Sequence, residues 1–314
     1  MHPAHLLLLL LPVAVIGATE DVDRPVFVKA TCSAPGNYTD SSSFGKNVAE
    51  LLSALSTPPP ATVDNYWWFR SHTVGTAPDQ VSGLAVCYAD ADAERCLDCI
   101  NSANSTWFSG LCDHSRNVGF LSSVGCAIRY ADAPFFGSAD SGADTRLILR
   151  SDFLAFDAAG MREARRELLS QLAERAGGDA LRFATGSQGI KDAVSGGVWQ
   201  VMYGMAQCTR DLPPSECSSC LIDLLAVMYG ESITNSTSAS VMGLSCYLMY
   251  QMNEPINFIA GMVAVPPAAP PAAPPAEPPT RSAAASPAAR PVGPKTTVIV
   301  ALAVAAVTLF SVGA

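Results

Sequence analysis

The strongest constraint on this chain is a cysteine cluster that occurs twice. Cys87, Cys96 and Cys99 are spaced C-x8-C-x2-C, and Cys208, Cys217 and Cys220 repeat that spacing. A further cysteine follows each cluster: Cys126 lies 27 residues past Cys99, and Cys246 lies 26 past Cys220. The stretches around them, Val124 to Tyr130 and Leu244 to Tyr250, carry apolar residue, cysteine, apolar residue and tyrosine at alternate positions, the period of a strand with one buried face. Upstream, Phe44, Leu51, Leu52 and Leu55 match Met161, Leu168, Leu169 and Leu172 at a constant offset of 117, with helical spacing. Helix stripe, cysteine motif and closing strand recur in the same order. That recurrence predicts two homologous modules, over residues 26–133 and 145–264, joined by a short linker rich in Gly, Ala and Ser over 134–144.

The ends of the chain decide how the cysteines are read. The apolar run Leu6 to Ile16 is too short to cross a bilayer and is followed by Gly17-Ala18, so residues 1–18 are expected to be a signal peptide. An oxidising secretory lumen then favours disulfides among the ten cysteines, an even number. The competing zinc site on each C-x2-C lacks support, because the second copy contains no histidine. Sequons at Asn37, Asn104 and Asn235 are candidate N-glycosylation sites on a secreted surface.

Residues 265–297, mostly Pro and Ala, cannot build a core and are expected to form an extended polyproline stalk. The apolar segment 298–314 is expected to be the signal for a glycolipid anchor, with Ser282 or Ala283 as attachment point. A retained single membrane span and a buried terminal element are the alternatives. The formal net charge of −9, from 19 basic and 28 acidic residues without a basic cluster, argues against a nucleic-acid partner.

Within the first module, Val26 to Val28 can open a strand, and Ser41 to Ser43 offer N-caps for a helix from Phe44 to Leu55. Asn65 to Thr73, with Trp67, Trp68 and Phe69, and Val81 to Tyr88 read as strands. A second helix starts near Ala93-Glu94 and places Cys96 and Cys99 on one face, which must meet the sheet. In the second module, Leu147 to Leu149 opens a strand and Ala158 to Arg175 is a helix closed by Gly177-Gly178. Gly196 to Gln207 reads as two strand-like stretches, Glu216 to Tyr229 as a helix, and Ser236 to Met252 as the closing strands.

Residues suited to catalysis are sparse. Beyond the signal peptide only His72 and His114 remain, and neither sits in a hydrolase or metal motif. His114 reads as a solvated loop residue. Gly186-Ser-Gln-Gly189 lacks the preceding strand and the lysine that a phosphate loop needs, and the acidic pairs Asp21/Asp23 and Asp90/Asp92 fall in loops. No enzyme activity, cofactor or metal is expected.

The doubled motif with its later cysteines is similar to the plant cysteine-rich repeat family of ginkbilobin-like, stress-antifungal modules, over roughly Val26 to Ala264. That family includes secreted repeat proteins, ectodomains of cysteine-rich receptor-like kinases and plasmodesmata-located proteins. The resemblance implies an α+β fold of two tandem modules, each with two helices on a five-stranded antiparallel sheet. It also implies the pairs Cys32–Cys112, Cys87–Cys96, Cys99–Cys126, Cys208–Cys217 and Cys220–Cys246. The second module lacks one pair, and counting places Leu149 and Ile233 at its two positions. The mannose site of ginkbilobin uses an Asn, an Arg and a Glu. The matching positions are Ser33, Phe120 and Ala131, then about Arg150, Ser240 and Gln251, so that particular sugar site is not expected. The expected role is a non-enzymatic, membrane-tethered recognition or scaffold protein on the extracellular face of the plasma membrane or at plasmodesmata. Its expected partners are receptor-like kinases or other ginkbilobin-like ectodomains; the alternative is a cell-wall glycan-binding or antifungal lectin.

Overall fold

A computed structural model of the chain describes residues 26–258, apart from 34–37, 58–68, 92, 104–107, 141, 152, 154–156, 192–195, 231–232 and 234. The expected signal peptide, stalk and apolar terminal segment lie outside the described residues. So do Asn37, Asn104, Trp67, Trp68, Ser282 and Ala283.

The first module runs β1 (Val28–Cys32), α1 (Ser43–Ser56), β2 (Phe69–Val74), β3 (Val81–Cys87), α2 (Ala93–Ser102), α3 (Phe108–Leu111), β4 (Val118–Ser122) and β5 (Cys126–Ala131). Its strands form one antiparallel sheet in the order β1-β4-β5-β3-β2. The second runs β6 (Leu147–Arg150), α4 (Ala158–Gly178), β7 (Phe183–Lys191), β8 (Trp199–Cys208), α5 (Pro214–Met228), β9 (Ser238–Met242) and β10 (Cys246–Met252). Its order, β6-β9-β10-β8-β7, is the same topology again. A short 3-10 turn at Ala143–Thr145 precedes β6.

The helix starts follow from local chemistry. The Ser42 hydroxyl accepts from the Gly45 amide at 3.0 Å and caps α1, while Asp157 caps α4 by accepting from the Gly160 amide at 2.9 Å. Helix α1 buries Phe44, Val48, Leu51, Leu52 and Leu55, and α4 buries Met161, Leu168, Leu169 and Leu172 against its own sheet. Gly45 has a steric reason. A Cβ there would stand 2.3 Å from the Thr39 carbonyl oxygen and 2.9 Å from the Asp40 Cα, both backbone atoms that cannot swing away. Alanine gains about 1 kcal/mol of helix propensity over glycine, but the clash costs about 3 kcal/mol. Gly45→Ala is therefore expected to destabilise the protein by about 2 kcal/mol net in urea unfolding, where propensity alone predicts a gain.

The C-x2-C spacing has a geometric meaning. Cys87 and Cys126 are direct cross-strand partners in β3 and β5, and Cys208 and Cys246 are partners in β8 and β10. Cys96 and Cys99 of α2 reach these neighbouring strands, as Cys217 and Cys220 of α5 do in the second module. One helical turn thus spans one strand spacing, and each cluster rivets a helix to two adjacent strands.

Several elements differ from the sequence reading. Strand β1 begins at Val28, so Cys32 closes it rather than following it. Val124 lies in the turn before β5 and Leu244 in the bend before β10, so both closing strands begin at their cysteine. The run Gly186 to Gly189, for which no preceding strand is expected, sits inside β7, and the strand pair is β7 and β8 rather than two stretches after Gly196. The glycines that hid this strand serve packing. A Cβ on Gly186 would approach Leu172 to 3.3 Å, and one on its β8 partner Gly204 would approach Leu169 and Leu172 to 2.9 Å, so α4 lies on the sheet where side chains are missing. Helix α4 also includes Gly177 and Gly178 and is capped by Asp179; glycine is needed at 177 because a Cβ there would stand 2.0 Å from Ser218 Oγ of α5.

Candidate functional site

The two modules are not independent beads. Strand β3 is buried along its whole length although helices cover only one face of its sheet. The other face is covered by the second module. Phe183, Met205, Met242, Leu244, Tyr247 and Met249, with Tyr203, Leu147 and Leu149, project from the non-helical side of the second sheet into the core of the first module. Both modules fall within one compact unit.

Polar contacts fix the register of this interface. Gln207, 2% exposed on β8, accepts from the Ala89 amide and donates to the Cys87 carbonyl, each at 2.9 Å. Its side chain supplies what a neighbouring strand would have supplied at the end of β3. The Tyr88 and Tyr247 rings pack with centroids 4.5 Å apart, and the Tyr247 hydroxyl donates to Asp90 at 3.0 Å. Burial pushes both hydroxyls well above the ordinary tyrosine range, so they stay protonated at physiological pH.

The linker is a strap rather than a free tether. Its Phe135 ring stacks under the Arg129 guanidinium of β5 at 4.1 Å. The amides of Gly137, Ala139 and Asp140 then donate to Asp211, Glu216 and Ser245 of the second module at 3.0, 3.1 and 2.9 Å.

Between strap and sheet lies a cleft of about 240 Å³. Its polar walls are Thr31, Ser33, Asn117, Arg129, Asp140 and Thr145, and Leu244 of the second module closes one side. Arg129 and Asp140 stand 4.0 Å apart across it, and the Thr145 hydroxyl donates to Asp140. Hydroxyls, an amide, a cation and a carboxylate around an apolar wall can hold a small neutral polyol by hydrogen bonds.

The positions carried over for a sugar site do not all meet at this cleft. Ser33 and Ala131 do line this cleft, but Phe120 does not. It pairs with Ile128 on the helical face of the sheet and packs edge-on against Phe108. The neighbour that faces the cleft is Gly119, and a Cβ there would stand 2.3 Å from Leu244. In the second module Val118's counterpart is Ala239, because each lies opposite the matching tyrosine, Tyr130 or Tyr250. Ala239 pairs with Arg150 as Val118 pairs with Cys32, so Arg150 and not Leu149 stands at the Cys32 position. Leu149 faces the first module instead.

The ten cysteines form Cys32–Cys112, Cys87–Cys96, Cys99–Cys126, Cys208–Cys217 and Cys220–Cys246, with none free. Among the described residues no group of three His, Cys, Asp or Glu side chains could hold a metal, and no helix is long and apolar enough to cross a membrane. Asn235 is exposed in the turn before β9.

His114 is more than a solvated loop residue. Its ring nitrogens lie 3.1 Å from Asp113 and 3.1 Å from Asp40, which joins the loop after α3 to the turn before α1. The hydrogen bond to Asp113 first, and that to Asp40 second, favour the imidazolium and raise its pKa above the ordinary 6.5. A raised folded-state pKa means that the contribution is complete below 6.5 and is lost as pH rises through the folded value. An NMR titration is expected to place His114 above 6.5, and Asp113→Asn to return it toward that value.

With this geometry in hand, comparison with known proteins is decisive. The Salt stress response/antifungal family model matches residues 31–133 and 157–253. The chain belongs to that family. The first matched segment carries β2 to β5 and the second β7 to β10, the same four strands of each sheet, so this is a tandem member. It is 25% identical over 227 residues to the antimicrobial ginkbilobin-2-like protein of Castanea crenata, covering 70% of this chain and 85% of that one. It is 27% identical over 219 residues to cysteine-rich repeat secretory protein 38 of Arabidopsis thaliana, covering 69% and 80%. Cysteine-rich receptor-like protein kinase 10 of Oryza sativa is 26% identical over 229 residues, covering 70% of this chain. The chain spans about a third of the length of such kinases, 33% in that case. The tandem DUF26 ectodomain of the Arabidopsis thaliana cysteine-rich receptor-like protein PDLP8 has a TM-score of 0.53 at 24% identity, covering 72% of this chain and 97% of its own, and shares the fold.

Proposed function

We propose that this tandem member is a non-enzymatic recognition or scaffold protein of the plant cell surface or plasmodesma, tethered to the membrane and acting through protein contacts. The observation that carries the reading is the joint core of the two modules. Spending the open face of each sheet on the other leaves one body that presents helices and strand edges outward, suited to holding partner ectodomains in fixed geometry. Relatives that are receptor-like kinases supply the class of partner: transmembrane proteins bearing related modules. On this reading a cleaved signal peptide over 1–18 brings the chain into the secretory pathway, Asn37, Asn104 and Asn235 carry N-glycans, and Ser282 or Ala283 receives a glycolipid anchor.

The 240 Å³ cleft favours a second reading, binding of a wall glycan, because its donors and acceptors suit hydroxyl groups. A glycan array and affinity capture run on the same purified ectodomain separate the two. Enrichment of receptor-kinase ectodomains over an unrelated secreted control, with a silent array, is expected. Specific glycan binding without such enrichment would replace the first reading with the second. Treatment of intact membranes with phosphatidylinositol-specific phospholipase C is expected to release the protein; retention would point to a true span.

A further inference from the structure

We propose that the Cys32–Cys112 bridge is a thiol-exchange site, opened by a small thiol of the glutathione class while the other four bridges stay closed. Three observations combine. Cys32 is the single exposed cysteine; the remaining nine are all 6% exposed or less. An attacking thiolate needs access to a sulfur along the S–S axis, so exposure decides which bridge reacts first. The bridge also ties the end of an edge strand to the loop after α3, whereas each other bridge lies under a helix.

The second module builds the same sheet topology with a different pin in place of this bridge. The Tyr130 hydroxyl donates to the Ser115 carbonyl and Tyr250 to that of Ser236, and the amides of Ser115 and Ser236 return to Cys112 and Ile233. Ile233 is thus the counterpart of Cys112 by the same pair of hydrogen bonds. The fully buried Arg165 donates to the Ile233 carbonyl at 3.4 Å and to the Tyr250 hydroxyl at 3.0 Å. Its counterpart in α1 is Val48, at the same offset of 117 as the helical stripe. A guanidinium pins in one module the turn that a disulfide pins in the other. The first module has no such guanidinium, so after Cys32–Cys112 opens its turn is held by the Tyr130 hydroxyl on the Ser115 carbonyl and by the Ser115 amide on the Cys112 carbonyl.

Chemically, a thiolate attacks the Cys32 sulfur and forms a mixed disulfide. The S–S electron pair leaves on the Cys112 sulfur, which takes a proton from water. A second thiol molecule then resolves the mixed disulfide, so two thiols are oxidised to one disulfide and the pair is reduced to two cysteines. Cys32 and Ser33 wall the 240 Å³ cleft, so exchange frees one side of it.

The test exposes the purified full chain to graded reduced glutathione without denaturant, traps thiols with an alkylating reagent, maps peptides and follows far-ultraviolet circular dichroism. Cys32 and Cys112 are expected to be labelled at least ten times faster than any other cysteine, with an unchanged spectrum. Another pair opening first, all ten appearing together, or no labelling before unfolding would overturn the proposal. The Cys32→Ser/Cys112→Ser variant is expected to keep the native spectrum and four glutathione-resistant bridges. Its failure to fold would also overturn the proposal, which requires the bridge to be dispensable.

Discussion

Gln207→Ala is expected to lower the unfolding free energy of the ectodomain by about 3–5 kcal/mol, the largest loss for any single polar side chain at the module interface. The Cys87 carbonyl and the Ala89 amide each lose their partner in a buried setting, at about 1–3 kcal/mol apiece, and a cavity opens beside them. A melting-temperature drop of about 10 °C follows for a body of this size. Urea unfolding and thermal scans of the ectodomain check it, and a loss under 1 kcal/mol would mean that the two modules hold each other weakly.

Leu169→Ala is expected to cost about 3–5 kcal/mol, since the side chain is fully buried between α4 and the second sheet and truncation leaves a cavity the surrounding strands cannot close. The more informative outcome concerns where the loss is felt. With separate modules, hydrogen exchange would quicken only in the second. With a joint core, amides of β3 and β5 in the first module quicken as well, because both modules open together. Leu52→Ala, at the matching position of α1, is expected to act in the reverse direction through the same shared transition.

How much of this was legible in the sequence follows from the range of each interaction. The repeat, both long helices and the riveting cysteine face could be read from local spacing, because Cys96 and Cys99 obey the helical period and Cys126 the strand period. Strand β7 was not legible: Thr185 to Gly189 lacks an apolar alternation, and its glycines answer to leucines of α4 and to Trp199, not to neighbours in sequence. The interface escaped for the same reason. Gln207 lies between apolar residues and reads as an interruption of a buried strand, and only the chain leaving β3, 118 residues before it at Ala89, gives it a partner. Met205, Tyr247 and Met249 signal a second buried face on strands that otherwise alternate, the one sequence hint of a covering sheet. The linker's Gly, Ala and Ser content gives no sign of its path, which is set where its backbone amides meet acceptors fixed by the second module. The cleft combines β1, β4, β5, linker and Leu244, and no local window contains it.

The claim on which the rest stands is that the two repeats form a single cooperative body. Scanning calorimetry of the ectodomain, with all five bridges intact, measures this directly. One transition is expected, with calorimetric and van't Hoff enthalpies that agree. Two resolved transitions, or a van't Hoff enthalpy near half the calorimetric value, would show two independently folding modules and contradict it.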